Sequence, residues 1–144
     1  MKPYAFTVST HGEDTLLRGG YGTRFGGTDD SQDNGIGAWS FNVRGNPSYL
    51  GIALPIRCDV GGLQDSPLGK VPGGTLCRVY SPVTNRSVLA RLVDIGPSKF
   101  TGRECDLMNS VVLSLGLVLK SGVYRVDVRI FGGAKHLPKM QRSL

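Results

Sequence analysis

Glycine punctuates this chain more than any other feature does: 21 of its 144 residues are glycine, and 8 more are proline. Glycine weakens a helix interior and proline breaks it, whereas both serve tight turns. Such density suits many short strands joined by turns rather than a helical bundle. The length fits one domain, and a chain near this size buries roughly two-thirds of the surface it exposes when unfolded. With 40% hydrophobic and 19% charged residues, the composition is that of an ordinary globular protein.

Along the chain, residues 1–15 are polar and aperiodic and read as an N-terminal arm, residues 16–132 as the folded domain, and residues 133–144 as a basic C-terminal tail. Leu16 to Phe25 alternates loosely, as an opening strand interrupted by glycines would. Gly26 to Asn46 is rich in glycine and aspartate, with Trp39 and Phe41 embedded in it. A loop of that length inside a compact domain is usually functional. Tyr49–Ala53, Thr75–Tyr80 and Ser87–Val93 are strand-like, and Pro82–Arg86 reads as a hairpin loop. Asn109–Leu115 is the one helical candidate: Met108, Val112 and Leu115 share a face, and Gly116 is placed to end it. Val123–Phe131 alternates most clearly, with Val126, Val128 and Ile130 on one side and Arg125, Asp127 and Arg129 on the other. About six short strands, one short helix and long glycine-rich loops make a small all-β barrel or sandwich.

The formal net charge of +6 favours polyanionic partners, either nucleic acid or anionic wall polymers such as peptidoglycan, teichoic acids and pectin. The basic residues are scattered and form no run, so specific nucleic-acid binding is not expected. Cys58, Cys77 and Cys105 show no metal-ligand spacing, and His11 and His136 are far apart, so neither a metal nor a cofactor is expected. The odd count admits one disulfide, for instance Cys58 to Cys77, with a free thiol left over; it equally admits three reduced, mostly buried thiols. The opening residues lack the apolar stretch of a secretory signal. No segment approaches the ~20 apolar residues of a membrane span.

The stretch from Val79 to Gly132 resembles the second half of a double-psi β-barrel of the expansin and rare-lipoprotein-A kind. The residues that carry the likeness are Asn85, Arg86, Ser87 and Val88, then Asp94, Gly96 and Pro97, then Gly102, Asp106 and Leu107, and finally Leu115 and Gly116. Gly20 to Trp39 is similar to the expansin opening, and Gly74-Thr75 to the start of the following barrel strand in rare lipoprotein A. The resemblance also takes in barwin-like proteins and family 45 glycoside hydrolases. It implies a six-stranded double-psi β-barrel with an open groove. It also implies binding of a cell-wall polysaccharide, peptidoglycan first among them, with glycan cleavage of the lytic-transglycosylase kind as the activity. The alternative is a non-catalytic wall-loosening or structural module, such as a phage virion component with its own assembly partner. Action at the cell wall or periplasm follows from the resemblance, and with no visible signal the sequence fits a mature fragment or a phage-borne protein.

Within that family Asp106 corresponds to a general acid and Asp94 to its supporting aspartate. Glycosidic cleavage needs a proton donor at the leaving oxygen and, in a hydrolase, a second carboxylate. Thr23 matches a groove threonine beside the key aspartate, and Asp29, with Asp30 next to it, falls where expansins carry an aspartate. Tyr21, Phe25, Trp39 and Tyr49 offer flat faces for sugar stacking. The same residue types have structural uses: an aspartate before Gly-Pro anchors a turn, and one before a helix complements its dipole. The chain also departs from rare lipoprotein A. Gly35-Ile36-Gly37 and Ile52-Ala53-Leu54-Pro55 stand where that family has a glutamate and a histidine, and Gly96 replaces an expansin tyrosine. These departures favour binding over cleavage.

Overall fold

The computed structural model describes residues 6–25, 41–55, 68, 71–96 and 105–132. Its strands are β1 (Thr7–His11), β2 (Asp14–Phe25), β3 (Gly51–Leu54), β4 (Leu76–Ser81), β5 (Arg86–Ile95), β6 (Cys105–Met108) and β7 (Val123–Ile130). One helix, α1 (Asn109–Ser114), and a 3-10 turn, Leu119–Ser121, lie between β6 and β7.

Six strands close on themselves in the order β2-β6-β3-β5-β4-β7, because β7 pairs back onto β2. Closure leaves no unpaired edge around the ring. Two of the contacts, β2 with β6 and β3 with β5, are parallel and join strands that are not consecutive. The remaining contacts around the ring are antiparallel.

Period-two alternation fills the barrel. Val126, Val128 and Ile130 of β7 enter the core, joined by Cys77 and Val79 of β4 and by Ile52 and Leu54 of β3. Arg125, Asp127 and Arg129 remain on the outer side, as the sequence pattern predicts. Val111, Val112 and Leu115 carry α1 into the same core. Full burial of such a side chain contributes roughly 1.5–3 kcal/mol, so a six-residue helix too short to stand alone is held by packing. Gly116, with φ of 74°, ends it, and the Thr84 hydroxyl donates a 2.6 Å hydrogen bond to the Leu115 carbonyl.

The N-terminal expectation is corrected. Thr7–His11 is not part of an irregular arm but a strand, paired antiparallel with the first residues of β2, which begins at Asp14. All five of its side chains are exposed, so no apolar alternation marks it, and backbone pairing alone defines it. Residues 133–144 lie outside the described residues. Cys77 is a free, buried thiol, which removes the Cys58–Cys77 disulfide from consideration; Cys105 is buried as well, and Cys58 itself lies outside the described residues.

Candidate functional site

The site grows from β3. Its neighbours Ile52 and Leu54 point into the core, so Ala53 belongs to the opposite side of the strand, where it too is buried. Ala53 is the register partner of Asp106 on one side and of Asp94 on the other. Beyond Asp106, Thr23 is in register on β2. A single row, Thr23–Asp106–Ala53–Asp94, therefore crosses four strands. Two strand steps place the Asp94 and Asp106 Cα atoms about 10 Å apart. The Thr23 hydroxyl donates a hydrogen bond to Asp106 Oδ1, which ties β2 to β6 at the row.

Asp94 reaches this row through a β-bulge. The register between β3 and β5 shifts between Ile52 and Ala53: Ile52 pairs with Leu92, but Ala53 pairs with Asp94. Strict alternation would send Asp94 inward after outward Val93. Instead Leu92 and Ile95 pack with the main core, while Val93 joins a separate cluster. The extra residue puts Val93 and Asp94 consecutively on the outer side, the re-aiming that bulges perform. The Ile95 amide then donates a 2.8 Å hydrogen bond to Asp94 Oδ1. Glycine at position 96 has its own cause. Its φ is 134°, where a side chain is strained, so the tyrosine of the resembled family would be strained on this backbone.

An apolar wall flanks the row. Phe41, Val43, Val93 and Met108 are buried together, with Phe25 and Tyr49 packed against them. Phe25 is in register with Met108. Gly51 makes the space: a Cβ there would stand 2.7 Å from Met108 Sδ and 2.8 Å from Val93 Cγ2. The rings of Phe41 and Tyr49 lie 4.9 Å apart and tilted by 47°, and the Ser110 hydroxyl fastens the segment by donating to the Tyr49 carbonyl. Burial pushes the Tyr49 phenol up from its ordinary value, in keeping with a packed ring.

The expected site residues therefore separate. Asp94, Asp106 and Thr23 come together. Phe25 and Tyr49 form the adjoining wall. Tyr21 is 45% exposed, but the Arg125 guanidinium sits over its ring, 5.5 Å from the centroid. Asp29, Asp30 and Trp39 lie outside the described residues. Sequence reasoning missed Ala53 as the centre of the row and Gly51 as the floor of the wall. The small-large alternation of Gly51-Ile52-Ala53-Leu54 was the signal available for both.

A closed ring of six strands, two non-sequential parallel contacts and one short helix define a double-psi β-barrel. The solved structure of the Streptomyces papain inhibitor shares this fold, with a TM-score of 0.51 over 83% of this chain and 94% of that chain. The two sequences are 18% identical, so the likeness concerns fold alone. No family model matches the chain, and no curated protein matches it.

Proposed function

We propose that this barrel binds a cell-wall polysaccharide, peptidoglycan first among the candidates, along the row Thr23–Asp106–Ala53–Asp94. The reading rests on one observation: two carboxylates flank the same small residue on adjacent strands. Carboxylates accept strong hydrogen bonds from sugar hydroxyls, and Ala53, itself buried, puts no bulky side chain between them. Phe25 and Tyr49 add apolar surface suited to the C–H face of a pyranose.

Binding is the primary role in this reading. Cleavage asks in addition for a carboxyl that delivers a proton, and the chain lacks the glutamate and histidine that rare lipoprotein A carries. The test is co-sedimentation with purified peptidoglycan and with cellulose, followed by mass spectrometry of the soluble fraction. Retention on peptidoglycan is expected, and the Asp94→Ala/Asp106→Ala double variant should bind at least roughly tenfold more weakly, the scale of losing a charge-assisted hydrogen bond. A double variant that folds and binds as the wild type does overturns the reading. Release of anhydromuropeptides by the wild type adds lytic activity to it.

A further inference from the structure

The other half of the ring, β2-β7-β4-β5, carries a different surface. Its outer side holds an open concavity of about 540 Å³ lined by Arg18, Arg78, Tyr80, Ser87, Asp127 and Arg129, among others. The register explains the convergence: Arg129 pairs with Leu16 and with Arg78, and Asp127 pairs with Tyr80. Arg125 follows on the same side of β7. Four arginines thus share this face with two aspartates. Both aspartates have structural tasks: Asp127 accepts a 3.0 Å hydrogen bond from the Gly19 amide at a bulge in β2, and Asp14 holds Arg129 in a 2.7 Å ion pair.

Two rings beside the concavity stand under guanidinium groups, and Tyr80, which lines it, is half-buried and donates its hydroxyl to Asn85 Oδ1. Arg78 and Arg129 both stand 5.8 Å from the centroid of Phe131, and Arg125 stands over Tyr21. A guanidinium set over a ring retains N–H donors for an anion. Nucleic acid without sequence preference is gripped largely by stacking successive bases on open aromatic rings, and here arginines stand over two of the three rings. A single half-buried ring, Tyr80, offers no stack for successive bases, so charge dominates this surface.

We propose that this half of the barrel is a second, separate docking surface for a base-free phosphodiester polymer, of the poly(glycerol phosphate) kind. Guanidinium forks match phosphate oxygens two at a time, and the concavity offers them from three neighbouring strands. Linking such a contact to the carboxylate row on the opposite wall would raise retention on a surface bearing both polymers, by effective concentration.

The test is fluorescence anisotropy of the full chain with a labelled poly(glycerol phosphate) oligomer, at low and at physiological ionic strength. Wild type should bind, more weakly as salt rises. Arg18→Gln/Arg78→Gln, at two exposed positions, should melt as the wild type does, bind roughly tenfold more weakly and show a shallower salt dependence. Arg86→Gln/Lys120→Gln removes the same net charge elsewhere and should bind within about twofold of wild type. Asp94→Ala/Asp106→Ala should leave this affinity unchanged, so failure here and failure of the glycan reading are separate results. The proposal is overturned if the wild type does not bind, if the two arginine pairs behave alike, or if oligothymidylate of equal charge binds as tightly.

Discussion

Asp94 and Asp106 belong to different strands, run through different connections and meet as register partners of one residue, Ala53. Their roles separate experimentally. Asp106→Asn keeps the shape of the side chain but removes the transferable proton. Any release of soluble wall fragments should then fall by about 10²–10⁴-fold, the scale of positioned acid–base catalysis, while sedimentation with the wall persists. Asp94→Asn should cut release less. A well-folded Asp106→Asn protein with full release would sink the catalytic role for this carboxylate. Activity and melting temperature measured on the same two variants distinguish loss of chemistry from loss of fold.

Gly51→Ala tests how the apolar wall is built. The added methyl meets Met108 Sδ and Val93 Cγ2 inside van der Waals distance. Overpacking of this kind costs about 1–3 kcal/mol, to be read as a lower urea midpoint. Phe41→Ala, which empties a fully buried site, should cost about 3–5 kcal/mol. If Gly51→Ala is as stable as the wild type, Met108 has another rotamer available and the close approach is not needed.

Cys77 should be chemically silent in the folded protein. Burial pushes its thiol up to about 12, and reactivity requires the thiolate. In a Cys58→Ser background, a thiol reagent at neutral pH should label neither Cys77 nor Cys105 until denaturant is added. Rapid labelling of Cys77 in the native state would show that the barrel opens far more readily than its packing implies.

Asp14 gives stability an acid limit. Hydrogen bonds from the Arg129 side chain, then from the Gly132 amide, hold its carboxyl below the ordinary 3.8. The Arg129 Nε and Nη2 atoms reach Asp14 Oδ2 at 2.8 and 2.7 Å, and the Gly132 N–H reaches Oδ1 at 3.0 Å. A carboxyl depressed in the folded state stabilises fully above its unfolded value, and that contribution is lost as pH falls through the lower folded value. The stability gap between wild type and Asp14→Asn should therefore be open at pH 7 and narrow below about 3.8. A gap of constant size down to strong acid would assign the effect to packing.

Much of the barrel was legible in the sequence because its strands bury one side only. Val123–Phe131 alternates strictly, and the structure keeps that alternation on β7. The helix begins at the expected Asn109 and yields to Gly116 as expected. Strand β1 was illegible because it buries nothing. The bulge at Val93–Asp94 was hidden for another reason: an outward residue and a following inward one look the same in sequence as two outward ones. Only pairing with β3 decides between them. Of the candidate site, Thr23, Asp94 and Asp106 came from a resemblance and not from periodicity. The arginine face came from neither, because its members are scattered over β2, β4 and β7 and converge only when the ring closes.

The ring closes with β7, the last of the described strands. β2 finds its β7 partners between Thr15 and Thr23, and the Gly19–Asp127 hydrogen bond joins residues 108 positions apart. β4 also depends on β7. A nascent chain that has made everything up to α1 still presents two bare strand edges, and such edges pair with whatever strand is near. Long-range pairing of this sort is slow to form. Synthesis of β7, rather than of the strands before it, is the event that completes this barrel, and a chain cut before Val123 is left as an aggregation-prone sheet instead of a smaller barrel.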